Sequence, residues 1–194
     1  MSESSALVAT LSDLRGVWRD RLTAVDGAGR VVTHDPHGGV PGAFPYENLV
    51  YIDFDGERFV QTSVVLSGRE PAVRTFEARR RDDTLVFTPL GPGAPTIIGV
   101  SAVRGHLWFV ADDIVHDGIS RYAEPDHIHV EDDRRWRHTV LWRHGALVRV
   151  MHVAGSLLSR DTSRRRDDDP RGVDGPVHDT RSEVEMYDAG RSAR

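Results

Sequence analysis

The sequence contains neither cysteine nor lysine, so its 25 positively charged side chains are all arginine. Without cysteine there can be no disulfide bond, thiolate metal site or cysteine nucleophile. No apolar run approaches the roughly 20 residues that a transmembrane helix needs. Residues 1–14 lack the basic and apolar regions of a secretion signal. These absences predict a cytoplasmic protein that does not enter a membrane.

Motifs for nucleotide binding and for serine nucleophiles are missing as well. No glycine-rich loop joins a strand to a helix, and no serine lies in a Gly-X-Ser-X-Gly elbow. The net charge is -5 and the arginines are interleaved with acidic residues, which disfavours a nucleic-acid surface. We therefore predict no cofactor and no nucleic-acid partner.

Composition divides the chain into three segments. Residues 1–15 have leucines at helical spacing and predict a short helix. Residues 16–158 alternate between apolar and polar side chains, as strands do. Residues 159–194 consist mostly of charged residues, glycine and proline, which predicts a largely disordered tail. Within that tail, residues 181–188 alternate and would suit an additional edge strand.

Turn signals recur throughout residues 16–158. Asp55-Gly56 is a strong hairpin dipeptide, and further turns are predicted at Ser67-Gly68 and Arg104-Gly105. About nine or ten strands result, at the spacing of an antiparallel sandwich or barrel. Either architecture is all-β and antiparallel, preceded here by a short N-terminal helix.

The longest alternation runs from Arg134 to Ala154 and predicts two strands joined at His144-Gly145. One face of the first strand carries Trp136, His138, Val140 and Trp142. A two-residue loop would pair Trp142 with Leu147 and add Arg149, Met151 and Val153 to that face. A three-residue loop would add His152 instead, because a slip of one residue reverses every side chain. We favour the two-residue loop, which predicts that the tryptophans and Arg149 line the interior together.

The short helix, the tripeptide Gly16-Val17-Trp18 and the long loop Asp35–Asn48 resemble the calycin barrels, above all the lipocalins. The resemblance covers about residues 5–158. It implies that the tryptophan plugs the closed end, that an arginine from a late strand (Arg149 by position) packs over it, and that the long loop lids the open end. The Thr-Asp-Tyr motif, disulfide and export signal of secreted lipocalins are absent. The chain is therefore more similar to cytoplasmic bacterial barrels of secondary metabolism, such as the spirotetronate [4+2] cyclases.

The resemblance implies an all-β, antiparallel up-and-down barrel of about eight to ten strands with a short N-terminal helix. Such a barrel would enclose an apolar, polyene-like small molecule. A cofactor-free cyclase or isomerase is the predicted function, in which the barrel holds a flexible substrate in a reactive conformation. Tyr51, His138 and Arg149 are the catalytic candidates, because each could hydrogen-bond a carbonyl. For Arg149 alone, packing over the plug tryptophan is the favoured interpretation. Strand parity or the lid predicts the following substrate-binding residues: Phe44, Tyr46, Phe59, Gln61, Arg74, Phe76, Trp108, Trp136, Val140, Trp142 and Met151.

Two alternatives remain. The first is a binding protein that carries an apolar metabolite without turnover, and a homodimer is left open in either case. The second is a metal-dependent, cupin-like enzyme. His127 and His129 would lie on one side of a strand with Glu131, and His152 could be a distant ligand. The spacing departs from that of cupins, so our predicted site contains no metal ligand.

Overall fold

The structure is a computed structural model, and it describes residues 5–33, 45–65, 72–89, 96–111, 115–116, 119–120, 122–123, 126–143 and 146–162. These residues form one helix and a series of strands, in this order: α1 (Ala6–Leu14), β1 (Gly16–Asp26), β2 (Tyr46–Phe54), β3 (Arg58–Val65), β4 (Ala72–Arg81), β5 (Thr84–Phe87), β6 (Ile97–Val100), β7 (His106–Ala111), β8 (Val115–His116), β9 (Ile119–Ser120), β10 (Tyr122–Ala123), β11 (Asp126–Glu131), β12 (Arg134–Arg143) and β13 (Ala146–Ser159).

The predicted all-β antiparallel barrel with a short N-terminal helix is confirmed. Neighbouring strands pair in chain order from β1 to β7, β11 to β13 continue the sheet, and β13 pairs back with β1. Ten strands therefore close into a ring, which pairs the edges that an open meander would expose. Strands β8 and β9 form a small separate hairpin, and β10 pairs with β12.

Helix α1 covers one end of this ring. Ser5 caps the helix, since its hydroxyl accepts a hydrogen bond from the Val8 amide at 3.4 Å. The leucines of the helix are fully buried in one cluster with Trp18 and the lower barrel. The indole nitrogen of Trp18 donates to the Leu14 carbonyl at 2.8 Å. Trp18 thus plugs the closed end of the barrel.

Two arginines pack over Trp18, and Arg149 is not one of them. The Cζ atom of Arg135 lies 5.1 Å from the indole centroid, and that of Arg160 lies 5.7 Å away. The assignment of Arg149 to this role is wrong because Arg149 pairs with Asp26, at the opposite end of β1 from the tryptophan.

A β-bulge decides which side chains of β12 and β13 point inward. Trp142 pairs with Leu147, as a two-residue loop predicts. The register then shifts, so that Leu141 pairs with Arg149. One extra residue on a strand reverses the alternation beyond it. Arg149 consequently shares a face with Leu141, opposite the tryptophans.

The arginine face of β12 points into the barrel. Arg135 and Leu141 are buried, whereas Trp136 and Trp142 are each 38% exposed. The predicted interior wall of aromatic residues is therefore wrong, and the outer face of β12 carries Trp136, His138, Val140 and Trp142. The inner face accepts arginine because acidic partners on other strands neutralise two of its guanidinium groups.

Several predictions fall on parts of the chain outside the described residues. These are Phe44, the loop residues His144-Gly145, the strand at 181–188 and most of the lid Asp35–Asn48, whose last three residues begin β2. Among the described residues, no helix is long and apolar enough to cross a membrane.

A buried ion pair joins β1 to β12 across β13. Arg135 Nε donates to Asp20 Oδ1 at 3.0 Å and Nη2 donates to Oδ2 at 2.5 Å, with both side chains less than a tenth exposed. Gly155 lies between the two residues in the register. A Cβ at Gly155 would lie 2.6 Å from Arg135 Cγ and closer still to Asp20 Oδ1. The missing side chain is therefore what lets the pair form.

We expect Gly155→Ala to lower the free energy of unfolding by about 3 kcal/mol, because the added methyl group pushes a buried ion pair apart. Urea unfolding followed by circular dichroism measures this loss. Gly29→Ala is the matched control: Gly29 has φ +80° but open space around it, so only about 1 kcal/mol should be lost. Equal losses for the two variants would contradict the steric argument.

Candidate functional site

The interior of the barrel has an apolar closed end and a polar open end. The closed end is a continuous cluster that includes helix α1 and the following strand residues: Trp18, Val50, Ile52, Phe54, Phe59, Leu85, Phe87, Leu107, Phe109, Ile128 and Val130. Strand parity places a set of polar residues on the inner face, and we call the part of the interior that they line the upper chamber: Asn48, Gln61, Ser63, Arg74, Asp126, Arg137, Thr139 and Arg149.

A hydrogen-bonded trio occupies one wall of the upper chamber. Arg137 Nε donates to Asp126 Oδ2 at 2.6 Å, and the Thr139 hydroxyl donates to Asp126 Oδ1 at 3.2 Å. The Asp126 carboxylate is buried, whereas the Arg137 side chain is 33% exposed. A guanidinium group that is paired with a carboxylate and still accessible can bind a second anion through its remaining N–H donors.

The opposite wall carries a second group of polar side chains on β3 and β4. Ser63 pairs with Arg74 in the register, and the Gln61 amide donates to the Ser63 hydroxyl at 3.5 Å. Ser63, Arg74 and the neighbouring Phe76 point inward, yet all three retain partial exposure. Solvent therefore reaches the interior of the barrel from its open end.

The structure brings about half of the predicted site residues together on the inner face. Tyr46, Phe59, Gln61, Arg74, Phe76, Arg149 and Met151 all point inward by register. Phe59 belongs to the filled closed end and Phe76 packs against it, whereas the others face the upper chamber or its apolar side. Whether they contact a ligand stays a prediction.

Tyr51 lies on the outer face of the barrel. It pairs with Val17 and Thr62, and it belongs to a buried cluster on that face with Leu49, Val64 and Val73. His138 also points outward, where its ring meets that of His152 at 4.9 Å between centroids. The three catalytic candidates therefore do not converge, since only Arg149 faces the interior.

Trp108, Trp136 and three histidines form a patch of stacked rings on the outer face. The ring centroids of Trp108 and His127 are 4.0 Å apart, and those of His106 and His129 are 4.4 Å apart. His129 also stacks on Trp136 at 5.3 Å. Trp108 is 49% exposed, so its predicted place in the ligand-binding wall is wrong.

This patch lowers the pKa of His127. Partial burial is the largest cause, because it penalises the charged imidazolium. Positive charge on His106, His138 and His129 lowers the pKa further, and the nearby Asp126 carboxylate opposes the shift.

The metal-centre alternative loses its geometric support. Glu131 is exposed at the end of β11, and His152 lies two strands away from His129 and opposite His138. Within the described ranges, histidine and carboxylate side chains form no group of three that could hold a metal ion.

The acidic partners of the inner arginines, Asp20 and Asp126, were missed by the sequence analysis. One signal could have found the first of them. Trp18 and Leu22 define the inward parity of β1, and Asp20 falls between them on the same parity. A buried carboxylate needs a cationic partner, which would have turned the arginine face of β12 inward.

We expect the free energy of unfolding to fall as the pH drops from 7.5 to 5. The pKa of His127 is lowered in the folded protein, so below about 6.5 the unfolded chain binds this proton more readily, and the stabilisation present at higher pH is lost. Urea unfolding at several pH values should show a flatter pH dependence for His127→Phe. His152→Phe, at an exposed position of the same face, should retain the wild-type dependence. An unchanged slope in the first variant would contradict this assignment.

Comparison with known proteins supports the barrel fold. No protein-family model matches the chain, and no curated protein sequence matches it. The structure is similar to that of a protein of unknown function from the DUF3598 family of Nostoc punctiforme, with TM-score 0.55 and 16% identity. That alignment covers 76% of this chain and 49% of the other, so this chain spans about half the length of that neighbour.

A second similar structure is an S-type phycobiliprotein lyase from Guillardia theta, with TM-score 0.51 and 10% identity over 76% of this chain and 89% of that one. At these identities the likeness concerns the fold alone. The narrower likeness to spirotetronate cyclases stays a prediction.

Proposed function

We propose that the upper chamber binds an amphipathic small molecule that carries an acidic group. The observation that carries this proposal is a row of partly accessible arginines on the inner wall of a closed barrel. Arg74, Arg137 and Arg149 all point inward toward the open end. Each guanidinium group is partly accessible, so it can form a charge-assisted hydrogen bond with an anion in addition to its contacts within the protein.

The charge balance of the interior supports an anionic ligand. Among the described residues of the upper chamber and the layer beneath it, four arginines (Arg74, Arg135, Arg137 and Arg149) face three aspartates (Asp20, Asp26 and Asp126), and Asp26 is bound to Arg30. The chain as a whole carries a net charge of -5. An interior that is positive within a negative protein attracts anions to the cavity rather than to the surface.

Apolar side chains beside the arginines suit a hydrocarbon body. Leu22, Tyr46, Met151 and Val153 form a buried cluster toward the open end, and Phe76 lines the wall next to Gln61. Burying a ligand there would gain roughly 25 cal/mol for each Å² of apolar surface removed from water. The ligand would therefore place its chain against this cluster and its acid among the arginines.

Of the two candidate functions, a binding protein without turnover and a cofactor-free enzyme, the geometry supports the binding protein better. Two of the three candidates for a cofactor-free cyclase or isomerase, Tyr51 and His138, lie on the outer face. Arg149 alone can orient an acid, but it supplies no partner for proton transfer. A role in bacterial secondary metabolism, a cytoplasmic location and a homodimer stay predictions.

Fluorescence can test this proposal, because Trp18 is buried beneath the chamber while Trp108, Trp136 and Trp142 lie outside it. A variant with the three outer tryptophans changed to phenylalanine isolates the signal of Trp18. Titration with cis-parinaric acid, a polyene carboxylate, should give saturable energy transfer from Trp18. The methyl ester should bind about tenfold more weakly, since it lacks the charge. The absence of saturable transfer would refute the proposal.

The contribution of the arginines can be tested separately. Arg149→Met should weaken binding of the acid about tenfold and leave binding of the ester nearly unchanged, because only the acid loses a charge-assisted contact. Arg21→Met is a matched control, since Arg21 is exposed on the outer face of β1. Equal weakening of acid and ester would show that Arg149 acts through packing rather than charge.

A further inference from the structure

Four residues on adjacent strands form a row along the inner wall of the barrel, next to Trp18 and at the bottom of the upper chamber. Arg135 pairs with Gly155, Gly155 pairs with Asp20, and Asp20 pairs with Asn48. These residues come from four adjacent strands, β12, β13, β1 and β2. We call this row the polar floor.

Arg135 presents an unused donor at the polar floor. Its Nε and Nη2 atoms are bound to Asp20, and its guanidinium lies over the Trp18 ring. The remaining nitrogen, Nη1, is buried and has no hydrogen-bond partner among the residues that the structure describes. The side chain is only 4% exposed, so bulk water does not compensate this donor.

Asn48 presents an unused acceptor in the same row. Its Oδ1 atom is buried, and no described group donates a hydrogen bond to it. Asp20, its neighbour in the register, has both carboxylate oxygens engaged by Arg135. One donor and one acceptor therefore lie unsatisfied on either side of a neutralised ion pair, and buried polar groups of this kind are rare without a partner.

The electrostatics of the polar floor select an uncharged group. A carboxylate would be repelled by Asp20, and a cation would be repelled by Arg135. Since the two charges are already paired, the floor attracts dipoles rather than ions. Arg135 and Asn48 lie on opposite sides of Asp20 in the register, so a single group that serves both needs its donor and its acceptor on separate atoms.

We propose that the polar floor binds a carboxamide or lactam at the inner end of the ligand. The amide carbonyl would accept from Arg135 Nη1, and the amide N–H would donate to Asn48 Oδ1. This inference rests on the proposed function, in which the acidic end lies among the arginines above. The ligand class thus becomes an acid at the outer end, an apolar body, and an amide at the inner end.

The experiment uses four fatty acids of equal length: a simple, unsubstituted fatty acid, and three that carry a primary amide, a hydroxyl or a methyl ester at the end remote from the carboxylate. Each displaces cis-parinaric acid from the full-length protein. The amide should bind about tenfold more tightly than the methyl ester, because it satisfies both buried groups. Asn48→Leu should remove most of this preference while affinity for the simple fatty acid persists. Glu47→Leu, a change at the exposed neighbour of Asn48 on the outer face of β2, should retain it.

The outcomes separate the two proposals. If no fatty acid displaces the probe and the probe itself does not bind, the proposed function fails. If the simple fatty acid binds but the amide and ester bind equally, the polar floor does not recognise the ligand and this inference alone is overturned. Binding of the hydroxyl compound as tightly as the amide would overturn the assignment to amides.

Arg135→Lys, with folding checked by circular dichroism, keeps the charge opposite Asp20 but removes the Nη1 donor. This variant should lower the amide preference as Asn48→Leu does.

Discussion

The ion pair between Asp20 and Arg135 fixes the orientation of the wall on which the rest of the barrel depends. Two opposite charges can be buried in an apolar interior only if they face each other with good geometry. Gly155 leaves the space between them, and Trp18 covers the guanidinium. Strands β1, β12 and β13 are thereby held with one particular set of side chains inward.

That orientation separates two chemistries that share the same strands. The inner face of β12 carries paired arginines and a threonine, whereas the outer face carries tryptophans and histidines whose rings stack across neighbouring strands. Aromatic rings on the surface of a sheet can bury part of their apolar area against one another by stacking. The interior is left to recognise polar groups, and the apolar closed end is already filled by its own side chains.

The fold could be predicted largely from local sequence signals, and the site could not. Hairpin dipeptides such as Asp55-Gly56 and the alternation of the strands depend on near neighbours, so they predict the antiparallel meander. The inward face of β12 depends on Asp20, which is 115 residues away from Arg135 in the chain. The bulge beside Leu141 reverses parity without a signal in composition, so the predicted pairing of Trp142 with Leu147 was right while the predicted face was wrong.

The sequence by itself determined that this protein is cysteine-free, all-β and antiparallel with a short N-terminal helix, because these features follow from residue chemistry and short-range periodicity. The barrel and its plug tryptophan were implied by the resemblance of Gly16-Val17-Trp18 and the strand order to the calycin barrels. Only the tertiary structure decided what the barrel encloses. Burying a charge is acceptable or prohibitive according to whether a partner lies within hydrogen-bond reach. Asp20, Asp126 and Gly155 meet the arginines of β12 only after the ring has closed, and that meeting turned the arginines inward and the tryptophans outward.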